Sequence, residues 1–210
     1  MIWNEYSDDL KGTHAKFGAS KWTWINYDVD TMFDKYCSSF STTVGTILHA
    51  YAADRIKYMM KLTKSVKKDL KFELLRSGVP PAVVDHFDLD RIGDILTVYV
   101  NDSIGFHMRP EQILFYSFNF YGTADAISFR DDKLKIFDFK SGETPAHIEQ
   151  LLIYTALFCL EYNKHPTEID TELRIYQSPE VLIMEPDASD IVPIMDKIIT
   201  FDKSLKRMEE

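Results

Sequence analysis

Hydrophobic positions change period twice along this chain, and those changes outline its architecture. From about Thr43 to Arg76 the apolar residues recur every three to four positions, which predicts a long helix closed by Ser77-Gly78 and Pro80-Pro81. A second helical stretch is predicted over about Ala82 to Ser103. The period then shortens to two. Gln112 to Phe120, rich in Tyr, Phe and Ile, reads as a strand, Gly122 to Phe129 as a second, and Lys133 to Lys140 as a third, with a tight turn at Asp131-Asp132. Thr144-Pro145 introduce a helix from about Ala146 to Asn163, because proline suits a helix start. Glu172 to Ser178 and Val181 to Glu185 read as short strands, and Ser189 to Met208 as a closing helix. Residues 1 to 43, with Trp3, Trp22 and Trp24, carry no clear period and are expected to be irregular. The order predicts an α/β fold with a mixed central sheet flanked by helices, in a single domain whose core spans residues 44 to 210.

Composition narrows this picture. At 210 residues with 45% hydrophobic and 27% charged positions, the chain suits one globular domain. The longest apolar run, Leu151 to Leu160, is broken by Tyr154 and too short to span a bilayer, so no membrane partner is expected. The segment MIWNEYSDD has neither the basic region nor the apolar stretch of a signal peptide, which points to the cytoplasm. Two cysteines, Cys37 and Cys159, lie far apart, and free buried thiols are expected. Two cysteines cannot hold a four-cysteine iron–sulfur cluster. The net charge of −9 argues against a protein that coats nucleic acid and fits one with clustered carboxylates.

The chemistry concentrates in residues 122 to 158. Asp138 and Lys140, two apart on a strand, point to one face, and a hairpin neighbour brings Asp125 beside them. Two carboxylates and a lysine converging on one face need a partner ion, and a hard divalent cation such as Mg²⁺ or Mn²⁺ supplies it. Gln150 and Tyr154 stand at i and i+4 on the next helix, hence on one side of it. His49 sits in GTILHAYAADRI on an earlier helix, and Glu111 opens the first strand as an additional candidate acid. Each of these residues alone also suits a solvated edge or a core position; the combination carries the signal. Lys57, Lys61, Lys64, Lys68 and Lys71 recur at steps of four and three, which on one helix would form a stripe beside His49. Such a stripe is either a solvated face or a phosphate track. His14, His86, His107, His147 and His165 have no comparable context and are assigned to no metal.

The ordered set His49, GTADAI around Asp125, Asp138-Phe139-Lys140 in DFKSG, and Gln150 with Tyr154 resembles the RecB-type branch of the PD-(D/E)XK nucleases. The resemblance covers about residues 44 to 160 and is nearest to phage-encoded members and the single-domain exonuclease of CRISPR adaptation. It implies a restriction-endonuclease-like core and a metal-dependent deoxyribonuclease, an exonuclease acting in recombination, repair or phage DNA processing. It further implies a metal held by His49, Asp125, Asp138 and the backbone carbonyl of Phe139. Lys140 would position or activate the attacking water, while Gln150 and Tyr154 would contact the DNA backbone and orient the lysine. DNA is the implied partner, and a homo-oligomer or a recombination protein would be compatible; a phage origin would place the protein in the host cytoplasm. The iron–sulfur cluster of the CRISPR relatives is not expected. Two other classes stand beside this reading: a catalytically silent DNA- or protein-binding module on the same fold, and an assembly protein with no nucleic-acid role.

Overall fold

The computed structural model describes residues 3–63 and 65–209. The chain divides into two compact units, Met1–Thr43 and Val44–Glu210. Within the first, short 3₁₀ turns at Asp8–Leu10 and Ala19–Asn26 precede helix α1, Val29–Ser38. The segment expected to be irregular thus contains a helix. Its start is set by Asp28, whose carboxylate accepts a hydrogen bond from the Thr31 amide at 2.8 Å and satisfies one of the free N–H groups of the first turn. Val29, Met32, Phe33, Tyr36 and Cys37 do recur at helical spacing, a signal that the reading of this segment as irregular passed over.

The second unit is built on a five-stranded mixed sheet in the order β1-β2-β3-β4-β5, flanked by helices, in line with the expected α/β core. The strands are β1 Arg109–Ser117, β2 Phe120–Arg130, β3 Lys133–Phe139, β4 Asp170–Tyr176 and β5 Leu182–Met184. β1, β2 and β3 form the predicted antiparallel meander. β3 then pairs in parallel with β4, and β5 closes the edge antiparallel to β4. A parallel pair needs a crossover, and helix α6, Glu149–Glu161, provides it.

Both faces of the sheet are covered, so β3 is buried along most of its length although its sequence alternates. On one face Leu134, Ile136 and Leu173 pack with Leu152, Ala156 and Phe158 of α6 and with Ile191 and Ile198 of the terminal helix α7, Ala188–Glu209. On the other, Phe137, Phe139 and Tyr176 meet Tyr99 and Phe106, contributed by helix α5, Leu89–Gly105, and its C-terminal cap. The free thiols of Cys37 and Cys159 are buried, as expected. No helix among the described residues is long and apolar enough to cross a membrane.

Three helical expectations need correction. The single helix over Thr43 to Arg76 is two helices, α2 Ser41–Lys57 and α3 Val66–Arg76. After Lys57 the chain turns through Met59, whose φ of 56° is left-handed, and the Met60 amide returns to the Arg55 carbonyl at 2.8 Å, a helix-ending arrangement usually built on glycine. The following connection is held by Asn101 of α5, whose amide group bonds both the N–H and the C=O of Leu62, at 2.9 and 3.0 Å. A tertiary contact therefore overrides a helical sequence. The lysine stripe falls with the helix: Lys57 ends α2, Lys61 lies in the connection, Lys68 and Lys71 are on α3, and Lys64 lies outside the described residues. The stretch from Ala82 to Ser103 likewise divides into α4, Pro81–His86, and α5, where Asp88 caps the Arg91 amide at 3.0 Å. Helix α6 starts at Glu149, three residues later than Ala146, because the preceding loop is held by side chains described below.

Candidate active site

The site forms where the β2–β3 ladder opens. Backbone pairing runs from Arg130↔Lys133 to Ala126↔Phe137. One step further, Asp125 stands opposite Asp138, and there the Phe139 amide donates to the Asp125 side chain, at 2.9 Å to Oδ2. A carboxylate thus takes over from the ladder and is fixed at the sheet end.

β1 supplies a second irregularity. Glu111 has a φ of 51°, a left-handed conformation that is disfavoured for a residue with a Cβ and is held at a cost of about 1 kcal/mol. The β1–β2 register runs unbroken past this point, from Pro110↔Ala126 to Gln112↔Ala124, which sets Glu111 opposite Asp125. That position brings its carboxylate into the site. One ligand atom each from His49, Glu111 and Asp125 lie within 4.8 Å of one another. Oxygen–metal distances of about 2.0–2.6 Å allow donors spaced up to about 5 Å around one ion.

His49 comes from α2, with Nδ1 3.3 Å from Asp125 Oδ2 and its ring edge-on to Phe139 at a centroid distance of 5.3 Å. Burial opposes its positive charge, but the Asp125 hydrogen bond and the charges of Asp125, Asp138 and Glu111 outweigh it, so the imidazole holds its proton more tightly than usual.

Asp138 is only 2% exposed. Lys140 Nζ lies 3.1 Å from its Oδ1 and 3.0 Å from Oδ2, but only the first contact has hydrogen-bond geometry; Oδ2 is buried without a hydrogen bond. Burial and the Asp125 charge push the Asp138 carboxyl up to about 6, against the pull of Lys140. Glu111 is shifted upward too, by burial and by Asp125, with His49 opposing.

The lysine is held from its far side. Lys140 Nζ donates to Gln150 Oε1 at 3.1 Å, and Gln150 Nε2 donates to the Tyr154 hydroxyl at 3.0 Å, a relay along one side of α6. Gly122 makes room for it: a Cβ there would come within 2.7 Å of the Tyr154 ring. Behind Lys140, Arg91 donates to the Ser141 carbonyl at 2.7 Å, while Gln177 binds the Gly142 carbonyl and the Ala146 amide at 2.9 and 3.0 Å. These bonds shape the loop from β3 to α6 and delay the helix start.

The predicted residues are therefore brought together with one rearrangement. Glu111, read as an additional acid, stands with His49 and Asp125, while Asp138 is turned toward Lys140. Arg91 and Gln177 had no motif or spacing to mark them. Of the lysines, Lys57 lines a cleft of about 560 Å³ that also contains Glu111, whereas Lys71 is paired with Asp85 at 2.6 Å on a different helix.

The residues present suit a divalent cation. Glu111, Asp125 and Asp138 put three carboxylates against Lys140 and a titratable histidine, and the buried Oδ2 of Asp138, though 3.0 Å from the Lys140 ammonium, accepts no hydrogen bond. His49 adds a nitrogen donor compatible with Mn²⁺. No known protein family, curated protein or solved structure matches this chain.

Proposed function

We propose that this chain is a divalent-metal-dependent deoxyribonuclease of the PD-(D/E)XK type, an exonuclease of the cytoplasm that hydrolyses phosphodiester bonds. The observation that carries the reading is the juxtaposition of the His49, Glu111 and Asp125 cluster with a buried Asp138–Lys140 pair. Mg²⁺ or Mn²⁺ would be held by His49, Asp125 and Asp138, with the Phe139 carbonyl and Glu111 as further donors. When bound, the ion would supply a Lewis acid for the phosphoryl oxygen and a more acidic water. Lys140 orients the attacking water and offsets charge on the phosphate. Asp138 and Gln150 hold its ammonium from two sides, so the chain need not reorganise when negative charge develops. Tyr154 fixes Gln150, and both face the DNA backbone. Lys57, beside Glu111 in the cleft, attracts phosphates toward the site.

The test is incubation with end-labelled linear and circular DNA, single- and double-stranded, with Mg²⁺ or Mn²⁺. Mononucleotides or short products from linear ends, absent with chelator and with Asp138→Asn, are expected. Intact DNA under every metal condition would favour a silent binding module.

A further inference from the structure

A second concave site lies around the start of β1, about 500 Å³ in volume. Its floor is aromatic. Phe129 and Phe158 lie 5.0 Å apart and Phe158 and Tyr162 4.9 Å apart, centroid to centroid, with Leu114 beneath them. Phe158 is buried, but Tyr162 is half exposed, so part of this surface faces solvent. The rim is basic: His107, Arg109, Arg130 and Lys164 line the pocket, and no Asp or Glu does. In a chain of net charge −9 that is a local reversal of sign. Arg109 and Arg130 form no ion pair among the described residues, while Lys164 lies 3.5 Å from Asp132 and 5.6 Å from the Phe129 ring centre. Glu161, the nearest acid on α6, has its Oε2 turned to the Phe115 amide at 2.8 Å.

A half-exposed Tyr162 ring beside the guanidinium groups of Arg109 and Arg130 matches one ligand chemistry well: a flat π-system attached to an anion. Bases stack on aromatic rings, and arginine binds phosphate. A peptide carboxylate would use the rim and leave the floor unfilled. The position also fits, since His107 and Arg109 line both this pocket and the cleft that holds Lys57 and Glu111. Arg109 therefore links the cleft at Lys57 and Glu111 to the aromatic floor.

We propose that this pocket seats an unpaired nucleotide of single-stranded nucleic acid, its base on Tyr162 and Phe129 and its phosphate on Arg109 and Arg130. The proposal rests on the nuclease reading and extends it, making a single strand the favoured substrate form. A paired base is stacked within its duplex and cannot enter.

Fluorescence anisotropy of the full chain in chelator scores binding without cleavage. The probes are a labelled single strand of about 12 nucleotides, comparable to known single-strand site sizes, and its duplex; polyglutamate serves as competitor. Tyr162→Ala should weaken single-strand binding by about tenfold and Tyr162→Phe should restore it, as expected for loss of one stacking platform. Arg109→Ala with Arg130→Ala should weaken binding and flatten its salt dependence. Duplex affinity should not respond to Tyr162→Ala. Unchanged single-strand affinity in Tyr162→Ala, an equal effect on duplex, or polyglutamate competing as well as the oligonucleotide would each overturn the pocket. Tyr162-dependent binding without cleavage in Mg²⁺ or Mn²⁺ would refute the nuclease reading and leave the pocket standing. Cleavage without Tyr162-dependent binding would do the reverse.

Discussion

Strand β3 takes part in two partly buried charge clusters, and they are built on opposite terms. Near its start, Lys135 pairs with Glu172, which also binds Arg174 at 2.7 Å, and Arg174 reaches Asp102 at 3.2 Å. Two cations meet two anions, and the Tyr176 hydroxyl fills a remaining acceptor of Asp102 at 2.9 Å. Burial would raise the Glu172 carboxyl, but hydrogen bonds and charge from Lys135 and Arg174 hold it below its ordinary range. Near the end of the strand, Glu111, Asp125 and Asp138 face Lys140 and His49, and both Asp138 and Glu111 are shifted upward. The first cluster is closed by its own side chains. The second sets three carboxylates against one lysine and one histidine, with two of the carboxyls shifted upward, and that difference marks a candidate reaction centre rather than a closed structural network.

Breaking the open cluster should abolish chemistry with little damage to the fold. Asp138→Asn removes an anionic ligand, and metal binding and cleavage should disappear together. Lys140→Ala removes a like charge from beside the ion; Mn²⁺ affinity should hold or rise while single-turnover cleavage slows by at least about a hundredfold. Equal loss of metal in both variants would mean that Lys140 only holds the carboxylates in place.

Breaking the closed cluster should do the opposite. Glu172→Gln leaves Lys135 and Arg174 short of an anion in a site that is mostly buried, which should destabilise the protein by about 3 kcal/mol in urea unfolding, with metal affinity unchanged. Unaltered stability would remove the contrast.

The two clusters should also respond to pH with opposite sign when metal is chelated. The raised Asp138 carboxyl favours the folded, protonated form below about pH 4, and that contribution is lost as pH rises through about 6. Glu111 and His49, also raised, act in the same direction. Glu172, lowered, contributes stability above its ordinary range that is lost in acid. Metal-free Asp138→Asn should therefore be more stable than the parent at pH 7, by on the order of 2 kcal/mol, and equal to it near pH 4. Thermal melts in chelator across this range give the comparison, and a flat difference would contradict the open-cluster account.

A finer probe reaches the open cluster through packing alone. Gly122→Ala places a methyl against the Tyr154 ring and should shift the relay that holds Lys140. About 1 kcal/mol of stability and a few-fold in cleavage rate should be lost, with metal affinity retained. Full activity would show that Tyr154 does not orient the lysine.

The meander and the Asp138–Lys140 pair were legible because period two and i, i+2 spacing are local properties of a strand. The partnership of Gln150 and Tyr154 was legible for the same reason on a helix. What was not legible depends on long-range contacts. The break after Lys57 is set by Asn101, more than forty positions away from it, and it dissolves the lysine stripe. Glu111 adopts a left-handed conformation that no pattern announces, and the pairing of β1 with β2 brings it to Asp125 and His49. Arg91 and Gln177 act on loop carbonyls, for which sequence carries no signature.

Calorimetric titration with Mn²⁺ at neutral pH asks whether the end of β3 holds a metal ion. The parent protein should show one site, Asp125→Asn and Asp138→Asn should lose it, and Glu172→Gln should keep it. Absence of a site in the parent, or a site indifferent to Asp125 and Asp138, would contradict a metal centre at the end of β3.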